Sequence, residues 1–186
     1  VAPTLTKNTD EIEIDVGILY CAPIGTAEPA SATGTLDTAW REIGYTEDGS
    51  TFTTELDAQE VLVEELLDPV RYVNIKRTSM LKFEMAQMVR SNLALALNMG
   101  AAVTDTSAIL EPPATSAEVR VMLFWLSEQT GANAFGFLAR QAYNTGGLEI
   151  SNKKAPDKRL IPVEFSLEKP TSAAAWAFLP SNAGSV

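Results

Sequence analysis

Apolar residues that recur at every second position constrain this chain more than any other feature of its sequence. Ile12, Ile14, Val16, Ile18 and Tyr20 alternate, with Glu11, Glu13 and Asp15 beginning the opposite face. Val119, Val121, Leu123 and Trp125 repeat the pattern, as do Phe135, Phe137 and Ala139, and then Ile161, Val163, Phe165 and Leu167. A strand turns successive side chains to opposite faces, so this period marks half-buried strands. Shorter strands are expected at 40–45, 51–54, 60–64, 70–74, 81–85 and 176–179. Asp48-Gly49 is expected to turn a hairpin over 45–56, and Gly146-Gly147 a second one.

The period changes once. Val89, Leu93 and Leu97 stand four residues apart in a run of Ala and Leu, with Gly100 placed to end a helix in a left-handed cap, which predicts one helix at about 87–99. Helices do not recur between strands. The expected fold is therefore mainly β: an antiparallel β-sandwich or barrel of about eight strands with one flanking α-helix. A length of 186 residues suits one domain, 12–180, between a flexible N-terminal arm at 1–11 and a flexible tail at 181–186.

The chemistry available to such a chain is narrow. Histidine is absent, which removes Ser-His-Asp and Cys-His catalysis together with the commonest metal ligand. One cysteine, Cys21, can form neither an internal disulfide nor a thiolate cluster, and its apolar neighbours predict a buried, inert thiol. No phosphate-cradling glycine motif occurs. Glu64-Glu65 and Asp57/Glu60 are the carboxylate pairs left for acid–base work or a hard cation, but adjacent residues on a strand point to opposite faces. No catalytic residue, metal or cofactor is expected, and the chain reads as a non-enzyme. Its apolar runs fall far short of the roughly 20 residues that cross a bilayer, so no membrane partner is expected.

Charge is unevenly placed along a chain of net charge -10. Between Glu42 and Asp68 lie nine acids and no Lys or Arg, and then come Arg71, Lys76, Arg77, Lys82 and Arg90, opposed by Glu84 alone. Such neighbouring stretches suit complementary surfaces that meet within or between subunits, or a solvated charged hairpin. The acidic balance disfavours ordinary nucleic-acid binding.

The segment Trp40-Arg41-Glu42-Ile43-Gly44-Tyr45-Thr46-Glu47-Asp48-Gly49 resembles a W-x-x-x-G-Y-T-x-D-G region of tail tube proteins from long, non-contractile phage tails. Leu81-Lys82-Phe83-Glu84-Met85-Ala86, the helix with Ser91-Asn92-Leu93-Ala94-Leu95-Ala96-Leu97, and Ile161-Pro162-Val163-Glu164-Phe165 follow in similar order. Gln87 departs from the pattern, where many relatives carry Glu. The resemblance covers about 12–178. It implies hexameric rings that stack into a tube in the virion, assembled in the host bacterial cytoplasm with tape-measure, tail-tip or baseplate and tail-terminator proteins. Double-stranded DNA would pass through without tight binding, and an acidic lining would repel it. With Val61 and Val63 on the core, Glu60 and Glu64 are the expected lumen-facing acids. Tyr45, Glu47, Asp48, Gly49 and Phe52 form a candidate inter-ring hairpin, with 1–10 as a second contact. The alternatives are a tube protein of a contractile injection system, a monomeric binding or adhesion module, and a carboxylate-based metal enzyme.

Overall fold

The structure, a computed structural model, describes residues 17–62, 68–106, 109–112, 118–127, 134–150, 154 and 157–180, and of Asp48 the backbone alone. The proposed terminal arm and tail lie outside these residues. Eight strands and one helix follow in chain order: β1 (Gly17–Pro23), β2 (Arg41–Glu42), β3 (Thr46–Val61), β4 (Arg71–Met85), α1 (Arg90–Ala96), β5 (Val121–Ser127), β6 (Gly136–Asn144), β7 (Ile161–Leu167) and β8 (Trp176–Leu179). The fold is mainly β with one helix, as the alternation predicts.

All pairings are antiparallel, in the order β2-β1-β5-β6-β7-β4-β3, with β8 beside β6. The sheet does not close, but it curls. β3 ends the order three places from β6, about 14 Å away in a flat sheet at the usual strand spacing. Yet the ring of Phe52 on β3 lies 4.5 Å from that of Phe137 on β6 and 5.1 Å from that of Trp176 on β8. Inside the curl sit Leu19, Cys21, Leu81, Phe83, Met85, Leu123, Phe137, Ile161, Val163 and Phe165.

A second cluster of Ala22, Trp40, Met122, Phe124 and Leu138 lies on the other face of β1, β5 and β6. The loop 24–40 covers it: the Trp40 indole donates to the Ala27 carbonyl at 3.0 Å, and the Ala32 amide to the Pro180 carbonyl at 2.9 Å. Burial on both faces explains why Val121-Met122-Leu123-Phe124 is apolar throughout, whereas the sequence alternation singled out Val121 and Leu123.

The helix is shorter than the expected 87–99. Its start has no side-chain cap from its own N-cap residue, Val89. Asp105 supplies one from a distance, accepting from the Ser91 amide at 2.8 Å and the Ser91 hydroxyl at 3.0 Å. The end unwinds through Asn98 (φ 55°) and Gly100 (φ 97°), the glycine that the sequence marks as a terminator. Two buried asparagines fasten the helix. Asn92 donates to the Ile43 and Gln87 carbonyls, and Asn144 donates to the Ala96 carbonyl at 2.6 Å.

The expected hairpins need correction. Asp48-Gly49 does not reverse the chain: β3 runs on for 16 residues, and these two residues form a bulge between the pairs Glu47–Glu84 and Ser50–Phe83. Gly49 has the positive φ (76°) foreseen for it, and uses it to eject two residues from the ladder. Strands expected separately at 51–54 and 60–64 begin as one, and those at 70–74 and 81–85 are both β4. Gly146-Gly147 opens the long β6–β7 connection and makes no tight turn; at Gly146 a Cβ would meet the Glu164 amide nitrogen at 3.1 Å.

Candidate functional site

β3 and β4 form a hairpin whose two halves have different surroundings. Up to Phe52 and Ser79 it belongs to the sheet: Leu81, Phe83 and Met85 are buried, and β7 pairs with Met80 to Met85. Thr54 and Ser79 hydroxyls share a hydrogen bond at 3.1 Å, and the Trp176 indole donates to Ser79 Oγ at 3.1 Å. These contacts anchor the root. Beyond them every described residue of 54–62 and 70–77 is exposed. The two strands stay paired out to Val61–Arg71, and the Val70 amide bonds the Val61 carbonyl at 2.9 Å. The result is a two-stranded arm projecting from the barrel.

The arm has an unusual surface for something bathed in water. Leu56, Val61, Leu62, Val70, Tyr72, Val73 and Ile75 are all exposed, Tyr72 at 66% and Ile75 at 60%. An isolated two-stranded ribbon is marginal in water, and grouped apolar residues on it mark a surface that is covered by something else. The acidic and basic stretches of the sequence meet here within one chain, Asp57 opposite Lys76 and Leu56 opposite Arg77. No ion pair of 4 Å or less joins two described residues of the arm, so its charges are available to a partner.

The residues singled out from the sequence separate here. Glu60 stands exposed near the far end of β3, opposite Tyr72. Val61 is exposed too, so the premise that it faces the core is not met; among the described residues no layer lies beneath the ribbon to give it a core side. Glu64 lies outside the described residues, as does the side chain of Asp48. Tyr45 is 78% exposed just before β3. Glu47 binds Lys158 Nζ at 2.7 Å. Phe52 points inward, among Phe137, Trp176 and Phe178.

Nothing comparable to a reactive centre accompanies the arm. The Cys21 thiol is buried, which pushes its pKa up to about 11 against the opposing pull of Arg41, so it is protonated at neutral pH. Among the described residues no group of three or more acidic or cysteine side chains could hold a metal ion. Among them, too, no helix is long and apolar enough to cross a membrane.

Residues 6–184 match the family described as Phage tail tube protein. The chain belongs to that family. This tail tube family member is thus a structural component of a phage tail. Two solved structures are similar over most of its length at low identity. One is a chain of the anti-feeding prophage baseplate, seen by cryo-EM with 6-fold symmetry imposed (10% identity, 98% of this chain and 99% of that one, TM-score 0.47). The other is the crystal structure of an Hcp protein (11% identity, 88% of this chain and 98% of that one, TM-score 0.36). No curated protein shows a significant match.

The sequence contains a signal for the arm that the turn-based reading passes over. From Ser50 to Asp68 there is no Gly, Pro or Asn, so nothing favours a reversal before Asp68-Pro69.

Proposed function

We propose that copies of this chain close into rings, six to a ring, that stack into the hollow tube of a non-contractile tail and conduct DNA. The observation that carries the reading is the arm: seven exposed large apolar residues on a ribbon with no layer beneath it among the described residues. Its edges argue the same way. β3 has no described strand on its outer side, and a 16-residue edge left bare is prone to pair with another chain. Assembly covers both features.

The acids of β3 suit a conduit. Glu55, Asp57 and Glu60 are exposed, and a wall carrying such charge in every copy repels phosphate. Glu60 and Glu64 are the proposed lumen-facing pair. Tyr45, Glu47, Asp48 and Gly49, at the bulged start of β3, remain the proposed ring contacts, whereas Phe52 packs inward. Tape-measure, tip and terminator proteins are the proposed partners, in the virion after assembly in the host cytoplasm.

Electron microscopy and sedimentation of the concentrated protein test this reading, alone and with tail-tip components. Rings or tubes about 100 Å across are expected, on the scale of six 20 kDa subunits side by side. A particle that stays monomeric under all those conditions overturns it.

A further inference from the structure

We propose that residues 10–16 of one copy pair as an added strand along the open outer edge of β4 in another copy, seated in the notch at the root of the arm. β7 accompanies β4 from Met85 to Met80 and then leaves. From Ser79 to Arg71 no described strand is paired with that side of β4. Beside β6 the place that β7 leaves is taken by β8, and between β8 and β4 lies a notch of about 680 Å³, with Leu56, Ile75, Leu167 and Trp176 as its apolar lining and Lys76, Arg77 and Lys169 as its cations. All three cations are exposed, and none is in an ion pair of 4 Å or less with a described residue.

An open edge in an apolar notch with a basic rim calls for an extended segment that alternates apolar and acidic side chains. Asp10-Glu11-Ile12-Glu13-Ile14-Asp15-Val16 is such a segment. Ile12, Ile14 and Val16 would share the face toward the notch lining, with Glu11, Glu13 and Asp15 on the face of Lys76, while Arg77, next to it on β4, falls on the lining side. The lengths agree: seven extended residues span about 23 Å and the eight of 71–78 about 26 Å. The outer edge of β3 is a poorer home, since Glu55, Asp57 and Glu60 flank it and would repel the four acids of 10–16.

Connectivity assigns the segment to a second copy. The register of β1 with β2 and with Ile43 (Tyr20–Glu42, and the Ile43 amide on the Leu19 carbonyl) brings Gly17 beside the start of β3, so that both strands of the hairpin stand between Gly17 and the outer edge of β4. Val16 is joined directly to Gly17, which leaves no residue to make that crossing before pairing begins. Strand addition between copies has no such constraint. The inference rests on the assembly proposed above and names one of its contacts.

Cross-linking and charge exchange test it. One full-length copy carries Glu13→Cys and a 15N-labelled second copy carries Lys76→Cys; they are mixed and treated with a short bis-maleimide. Cys21 is buried and protonated, so the new thiols react first. A light–heavy link is expected between positions 13 and 76. Reversing Glu11, Glu13 and Asp15 to Lys should weaken self-association about tenfold, as should reversing Lys76, Arg77 and Lys169 to Glu, and combining all six should restore it. Circular dichroism of each variant checks that it is folded.

A link formed within one chain carrying both cysteines, and not between chains, overturns the proposal in favour of docking in cis. A link from Glu60→Cys to Lys76→Cys in place of the expected one overturns it in favour of a neighbouring arm. Wild-type association with no 13–76 link and no response to charge reversal removes this contact and leaves the tube intact. Wild-type protein that never associates removes both readings.

Discussion

Asp105 shows how one side chain sets the helix in place. The α1 start lacks a local cap, and the Asp105 carboxylate accepts from both the amide and the hydroxyl of Ser91. The backbone bond foremost, with the hydroxyl bond and Arg41 and Arg90 nearby, holds its pKa below the ordinary value, against desolvation, the second-largest influence. A carboxyl with a depressed folded-state pKa stabilises the fold fully above the unfolded value of about 3.9, and that stabilisation is lost as pH falls through the folded value. Asp105→Asn should therefore cost about 1 kcal/mol near neutrality, the usual worth of a cap reduced by the exposure of this one. The gap between wild type and variant should narrow as pH falls below the unfolded value and through the lower folded one. Denaturant titrations at pH 7 and pH 2.5 measure it. A gap independent of pH would mean that the side chain acts through shape, not charge.

Among the elements, the β3–β4 hairpin carries both the fold and the site, and the sequence announced its halves unequally. Leu81, Phe83 and Met85 alternate with polar residues because a core lies on one side, and that half was legible. Among the described residues the arm has no core side, so no buried face sets the spacing of its apolar residues, and periodicity cannot place them. Val61 was assigned to a core for that reason. Gly49 misled differently: its positive φ was foreseeable, but a turn and a bulge demand it equally. The chain-distant cap at Asp105 was invisible because it joins residues far apart in sequence. The division within the hairpin predicts a double contrast. Phe52→Ala removes a ring packed on three others and should cost about 3 kcal/mol of monomer stability. Ile75→Ser and Tyr72→Ser together should change monomer stability by less than about 1 kcal/mol, since both side chains are exposed, and yet abolish assembly. Calorimetry and sedimentation read the two effects separately; arm variants that unfold the monomer would place the arm in the core.

At the scale of the whole molecule, the proposed tube turns charges too weak to matter singly into a wall. Glu60 is exposed in the lone chain, where water and salt screen it, and Glu64 lies four residues on in the same acidic stretch. In a stacked tube each copy repeats both, so a passing duplex meets the same charge at every subunit and is held nowhere. Replacing both with Lys changes each subunit by about +4 in charge, and each phosphate contact then releases counterions and retains the duplex. Tails of normal length should still form, because the apolar residues of the arm are untouched. DNA ejection from them should slow or stall, most at low salt, where screening is weakest. Ejection kinetics across a salt series, beside electron microscopy of the tails, separate the possible causes. Tails that fail to form would put the two glutamates in a subunit contact, consistent with the exposed position of Glu60 near the far end of β3. Normal tails whose ejection is unchanged at every salt concentration would take both residues off the DNA path and leave the lining to other acids.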